Sequence, residues 1–122
     1  MCNSESNFPE SISLLAKSVE SFHERFQVDP VDFSNDSLAL ELLRKRLSLL
    51  SEESGEFARE LNKGNLDHAI HEAVDIAYIA LGTILCIGER GLDACKVVIN
   101  KNDTKSSVGY SKKNSTGKVV SN

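Results

Sequence analysis

The sequence predicts an all-α chain of four helices. Three observations predict it. Apolar residues recur at helical spacing, no strand-like alternation is sustained, and Pro occurs only at positions 9 and 30. Breakers then divide the chain at Asp29-Pro30, at Gly64-Asn65 and between Gly88 and Gly91.

The first helix is expected over 11–26, with Leu14, Leu15, Val19, Phe22 and Phe26 on one side and Asp29-Pro30 as its terminator. A polar loop runs to about Asp36. The second helix is long, 37–63. Leu43, Leu47, Leu50, Phe57 and Leu61 form its apolar stripe, with Ser54 as the polar member, and Gly64 stands where a C′ glycine belongs. Asn65 is a fitting N-cap for the third helix, 66–87. From Val74 to Ile87 that helix is apolar on nearly every face. A helix of this kind is buried all round, which four short helices cannot easily provide, so a second copy of the chain is expected to cover it. Gly55 and Gly82 lie inside helices, where each costs about 1 kcal/mol relative to Ala; close approach of a neighbour would offset that. The fourth helix is expected over 92–102. Residues 1–103 then make a helical domain, and 104–122, rich in Ser, Lys, Asn and Gly, reads as a flexible polar and basic tail.

The chain has 122 residues, 40% hydrophobic and 26% charged, with net charge −4: one domain of ordinary globular composition. No basic footprint points to nucleic acid. Residues 76–88 are the most apolar run, short of the roughly 20 needed to span a bilayer, so no membrane partner is expected. Cys2, Cys86 and Cys95 are three and far apart, which makes neither a disulfide framework nor a zinc knuckle. The first residues lack the basic and apolar regions of a signal peptide. A reduced, cytoplasmic protein is expected.

The acids carry the chemical message. Glu53, Glu56 and Glu60 follow i, i+3, i+7 beside the apolar stripe of the second helix, and Glu52 is offset but within reach of Glu56. Glu72 and Asp75 are i, i+3 on the third helix, on a face shared with Ile79 and Cys86. The short turn at Gly64-Asn65 makes the two helices antiparallel neighbours. Both acid pairs lie about equally far from that turn, so they should meet at one height. Two charges roughly 4 Å apart repel by about 4 kcal/mol at an effective dielectric of about 20. Arg59 and Lys63 cannot reach all of the acids, whereas a divalent cation can. An all-oxygen set suits Mg²⁺ or Mn²⁺, which keep coordination sites for water and substrate phosphates.

Rival centres fit less well. His71-Glu-Ala-Val-Asp75 lacks the second His of a zincin. His68 and His71 could ligate, but a surface or capping role suits them better. Glu20-Ser-Phe-His23 stands alone where a di-iron bundle needs two such pairs. Ser115-Thr-Gly-Lys118 lacks the first glycine of a P-loop and has Val119 in place of its Ser or Thr.

Glu53-Ser-Gly-Glu56 followed by Glu72-Ala-Val-Asp75 resembles the paired acid signature of the all-α nucleoside triphosphate pyrophosphohydrolases, the MazG-like superfamily that includes the dimeric dUTPases and phosphoribosyl-ATP pyrophosphohydrolase. Phe22-His-Glu-Arg-Phe26 resembles the close of that group's first helix. The run from Leu43 to Glu53 resembles its basic and leucine-rich approach to a double Glu. Tyr78 with Gly82, and Asn102-Asp-Thr-Lys105, resemble its later segments. The match runs in order from about Ser18 to Lys105.

The resemblance implies a four-helix bundle-like MazG fold, dimeric or a dimer of dimers, that cleaves a nucleoside triphosphate to monophosphate and pyrophosphate in nucleotide-pool housecleaning. Glu53, Glu56, Glu72 and Asp75 would hold Mg²⁺ or Mn²⁺. Glu52, with Glu53, would be the candidate catalytic pair, as second ligand or as base for the attacking water. Asn102 and Lys105 would contact the triphosphate. His23, Phe26 and Tyr78 are candidates for a base pocket, although each also lies on an apolar helical stripe as core residues do. Where many relatives carry an acid and a His, this chain has Val97 and Ile99, so the fourth helix offers less polar chemistry. Phosphoribosyl-ATP hydrolysis, and a non-catalytic nucleotide-binding helical dimer, stand as alternatives.

Overall fold

The structure is a computed structural model that describes residues 3–122, with side chains from residue 7 onward. Among the described residues there are four helices and one two-stranded hairpin: α1 (Asn3–Arg25), α2 (Asp36–Lys63), α3 (Leu66–Ile87), α4 (Glu89–Asp103), β1 (Tyr110–Lys112) and β2 (Val119–Ser121). They form two compact units, Met1–Gly88 and Glu89–Asn122.

In the first unit α3 packs against both α1 and α2. Helix α1 begins ahead of the expected residue 11 and carries Pro9 inside it; a helix can give up one backbone bond at such a residue and still continue. Its end also differs from expectation. The helix stops before Asp29-Pro30 because Gln27 takes a left-handed φ of 49°. The Val28 amide then donates to the His23 carbonyl at 2.9 Å and that of Gln27 to Glu24 at 3.3 Å. This is a Schellman close with glutamine in the place glycine usually takes.

The loop that follows is tied down at three points. The Val31 amide donates to the Cys86 carbonyl at the end of α3, 2.9 Å. Asp32 accepts from the Ser34 amide and hydroxyl. Asn35 caps α2 by accepting from the Leu38 amide. Val31, Ala39 and Cys86 are buried together, with Val28, Phe33, Leu42, Leu43 and Ile87 against them.

The α2–α3 turn sets the register of the acids. Gly64 has φ 74°, a conformation that costs other residues about 1–2 kcal/mol. The amides of Gly64 and Asn65 close α2 onto Leu61 and Glu60. Asn65 then caps α3 by accepting from the His68 amide, and its side-chain amide meets His68 Nδ1 at 3.0 Å. His68 thus braces the cap residue Asn65.

By length and composition α3 could cross a membrane, yet little of it is buried within the chain. Its buried residues are Ala69, Gly82 and Cys86, while Leu66, Ile70 and Val74 are exposed. Gly82 is indeed closely approached, but by side chains of Arg46 and His23. Gly55 has nothing within 4 Å of an added Cβ.

The second unit joins α4 to the segment that the sequence alone suggests is a mobile tail. That segment carries the hairpin, with Tyr110 opposite Ser121 and Lys112 opposite Val119. Gly117 turns it at φ 76°, so the Ser-Thr-Gly-Lys stretch is a hairpin turn. Lys113 and Lys118 close it, the Lys113 amide donating to the Lys118 carbonyl at 2.7 Å.

Candidate metal centre and adjoining cavity

Helix α2 presents Glu53 and Glu56 one turn apart, and antiparallel α3 presents Glu72 against them. One carboxylate oxygen from each of the three lies within 4.8 Å of the others. Oε2 of Glu53 and Oε2 of Glu72 are shut off from solvent and lack a hydrogen-bond partner. Carboxylates accept only, so a cluster without donors pushes protons back on. Burial, then the charges of Glu56 and Asp75, push Glu53 up to about 7. Glu72 is raised in the same way, by burial first and then by Glu56 and Asp75. Buried oxygens, convergent geometry and absent donors fit a cation, and a set without His or Cys fits a hard one such as Mg²⁺ or Mn²⁺.

The other residues singled out from sequence are distributed as follows. Asp75 is exposed and outside the three-oxygen set, but close enough for its charge to act on Glu53 and Glu72. Glu52 is exposed beside Glu53. Glu60, two turns beyond Glu53, turns instead to Lys63 and His68, each at 3.8 Å. In the second unit Lys105 Nζ donates to the Asn102 side-chain oxygen at 3.2 Å, and the Asn102 side-chain amide donates to the Val98 carbonyl. Lys105 also sits over the Tyr110 ring.

His23 lies in a cavity of about 530 Å³ that adjoins the acids. Phe22, His23, Val28, Arg46, Leu49, Glu53, Asp75, Tyr78 and Ile79 line it. Glu53 belongs to both the cavity and the acid centre, and Asp75 lines the cavity next to it. Phe22 and Tyr78 meet edge to face at 6.1 Å, and the Tyr78 hydroxyl is hydrogen-bonded to Ser18 at 3.0 Å. Phe26 packs against Phe22 with tilted rings 4.7 Å apart but does not line the cavity. Burial, then the Arg46 charge, lower the His23 pKa, which keeps the ring neutral. A largely apolar hollow of this size with a few polar groups suits one small organic ligand.

Sequence reasoning passed over Arg46 and Thr83. Among the described residues of the unit, Arg46 is the buried charged one. Its signal was spacing: three residues after Leu43, four before Leu50 and seven before Glu53, it lies on the inner face of α2.

An antiparallel helical pair with a carboxylate cluster beside a ligand-sized cavity defines a class: all-α proteins with an acidic centre of a kind that fits a hard cation. The family model for phosphoribosyl-ATP pyrophosphohydrolase matches residues 19–100, and the chain belongs to that family. The family is one of pyrophosphohydrolases, enzymes that hydrolyse acid anhydrides, within the MazG-like all-α superfamily. Neither a curated protein nor a solved structure matches the chain.

Proposed function

We propose that the protein is a Mg²⁺-dependent nucleoside triphosphate pyrophosphohydrolase, taking an NTP or dNTP to monophosphate and pyrophosphate and acting on the nucleotide pool. One observation carries the reading: the buried, unpartnered oxygens of Glu53 and Glu72 converge with Glu56 at the edge of a cavity sized for a nucleoside. A divalent cation held there supplies charge neutralisation and Lewis-acid polarisation of phosphoryl oxygens. Glu53, Glu56 and Glu72 would hold it, with Asp75 beside them. Mn²⁺ fits the same donors.

The rest of the mechanism is positioning, as phosphoryl transfer generally requires. The cavity takes the nucleoside and leaves the phosphates at the acid end. Glu52, exposed beside Glu53, is the proposed base that orients water for in-line attack on the α-phosphorus. His23, kept neutral, offers the nucleoside a ring nitrogen and carries no competing charge. The sequence resemblance supports Asn102 and Lys105 as phosphate contacts. A reduced, cytoplasmic setting suits the free thiols of Cys86 and Cys95.

A second copy of the chain is the proposed cover for the apolar surface of the first unit. Leu14, Phe26, Leu47, Leu61, Leu66 and Ile70 are each more than half exposed.

Phosphoribosyl-ATP hydrolysis is the second reading, favoured by the family's own description. The test is incubation with each common NTP and dNTP and with phosphoribosyl-ATP in Mg²⁺, followed by chromatography of the products. Monophosphate with pyrophosphate is expected, at least 100-fold lower in Glu53→Ala and Asp75→Ala, as befits lost transition-state charge stabilisation. Diphosphate with phosphate would overturn attack at the α-phosphorus. Turnover of phosphoribosyl-ATP alone would select the second reading.

A further inference from the structure

Arg46 is 8% exposed, and no carboxylate lies within ion-pair distance of it among the described residues. Its Nε donates to Thr83 Oγ1 at 3.1 Å and its Nη2 to the Ile79 carbonyl at 3.0 Å. Both partners are on α3, and both bonds use the side edge of the guanidinium. A guanidinium has five N–H donors. The end edge, formed by Nη1 and the second hydrogen of Nη2, has no partner among the described residues, and Arg46 lines the cavity.

The placement is built. An added Cβ on Gly82 would come within 2.7 Å of Arg46 Nη2 and 2.7 Å of His23 Nε2. The bare backbone of α3 is therefore the floor on which both side chains rest. A buried cation without a counter-charge is costly unless its donors are used, and two unused donors on a residue that lines a ligand cavity call for two adjacent acceptors.

Position selects which part of the ligand supplies them. Arg46 precedes Glu53 by seven residues, two turns, or about 10 Å of helix. Antiparallel α3 keeps the same order, with Thr83 at the Arg46 end and Asp75 at the Glu53 end. Phosphates held at the acids place the base at the arginine. Among the bases, guanine presents O6 and N7 as an adjacent acceptor pair that matches an arginine fork, whereas adenine puts an amino donor beside N7. Resting on the pyrophosphohydrolase reading for which end the phosphates occupy, we infer that Arg46 is the base-reading residue of the cavity and selects 6-oxopurine nucleotides over adenine nucleotides.

The test is equilibrium binding of the Mg²⁺ complexes of the α,β-methylene analogues of GTP, ITP, 7-deaza-GTP, ATP and CTP, with turnover of the parent nucleotides measured in parallel. The guanine and hypoxanthine analogues are expected to bind about 10- to 100-fold tighter than the adenine one, the discrimination a bidentate pair gives. 7-Deaza-GTP, which lacks the N7 acceptor, is expected to lose most of that advantage in the unaltered protein, a change no structural role of Arg46 would produce. Arg46→Gln is expected to reverse the order, because glutamine pairs with adenine N6 and N7. Equal affinity for guanine and adenine, no effect of 7-deaza substitution, or tightest binding of the cytosine analogue would each overturn the inference. So would a uniform loss across all bases in Arg46→Gln, which would make Arg46 a phosphate contact. The two readings separate cleanly. Guanine-selective binding without turnover upholds Arg46 and removes the hydrolase; turnover without base preference does the reverse; binding of none of the analogues overturns both.

Discussion

Glu53 concentrates the electrostatics of the site. Its pKa, about 7 without a cation, exceeds that of an ordinary carboxylate. Between the two values the native chain keeps a proton that the unfolded chain has released. The metal-free fold therefore loses stability as pH rises from about 4.5 to 7 and levels off above, and Glu72 acts in the same sense. Asp32, lowered chiefly by its hydrogen bonds from Ser34, acts in the opposite sense at lower pH. The difference between wild type and Glu53→Gln isolates the effect. In chelator, Glu53→Gln is expected to melt above wild type at pH 8 and near it at pH 5. Mg²⁺ is expected to raise the pH 8 melting point of wild type and to do much less for the variant. A variant that melts below wild type at pH 8 without metal would show that the cluster is not repulsive. The meeting of Glu53, Glu56 and Glu72 was legible in the sequence, because helical spacing put each pair on one face and the short turn set their heights. Arg46 was not. In the run Arg44-Lys45-Arg46 a basic residue reads as solvated, and only its spacing to Leu43, Leu50 and Glu53 separates it from its neighbours.

At the scale of elements, caps did most of the positioning. Gly64 and Asn65 could be assigned from residue type, since each satisfies a helix end in a known way, whereas the cap at Asn35 lies inside the stretch that reads as polar loop. Gln27 could not, because nothing about glutamine marks a left-handed residue. Gln27→Gly is expected to stabilise the fold by about 0.5–1 kcal/mol, the left-handed strain relieved less the entropy of the added glycine. Urea unfolding would read it as a higher midpoint at unchanged slope; no gain would mean that the Gln27 side chain offsets the strain. The start of α1 was hidden by Pro9, which reads as a boundary. The hairpin was hidden by its shortness: strands of three residues, Tyr-Ser-Lys and Val-Val-Ser, are too brief to show alternation. They are held by the turn at Gly117 and by cross-strand bonds more than by an apolar face.

At the scale of the molecule, the apolar inventory exceeds what one chain buries. Among the described residues of the first unit the buried hydrophobic ones are Val19, Val31, Ala39, Ala69 and Cys86, a small core for three helices. Leu66, Ile70 and Val74 stand a turn apart along α3 with 69%, 54% and 47% exposure, a stripe suited to a matching stripe on another copy. Sedimentation equilibrium is expected to give at least twice the 13.4 kDa chain mass, and Ile70→Glu to shift the population toward the single chain with loss of thermal stability. A wild type that sediments as a single chain at micromolar concentration would remove the second copy from the account. The sequence carried this expectation through the all-round apolarity of α3, but no periodicity in one chain can say which face meets a partner.

The antiparallel α2–α3 pair also bears on how the protein is made. Every proposed metal ligand lies between Glu53 and Asp75, and only a glycine–asparagine turn separates the two helices that carry them. Closing so short a connection costs little chain entropy. As the polypeptide emerges from a ribosome, the full ligand set is outside once α3 is outside, while α4 and the hairpin are still to come. A cation held at the proposed centre would therefore be able to bind a nascent chain, and the repulsion among the acids would be met at the step where that chain first needs help to fold.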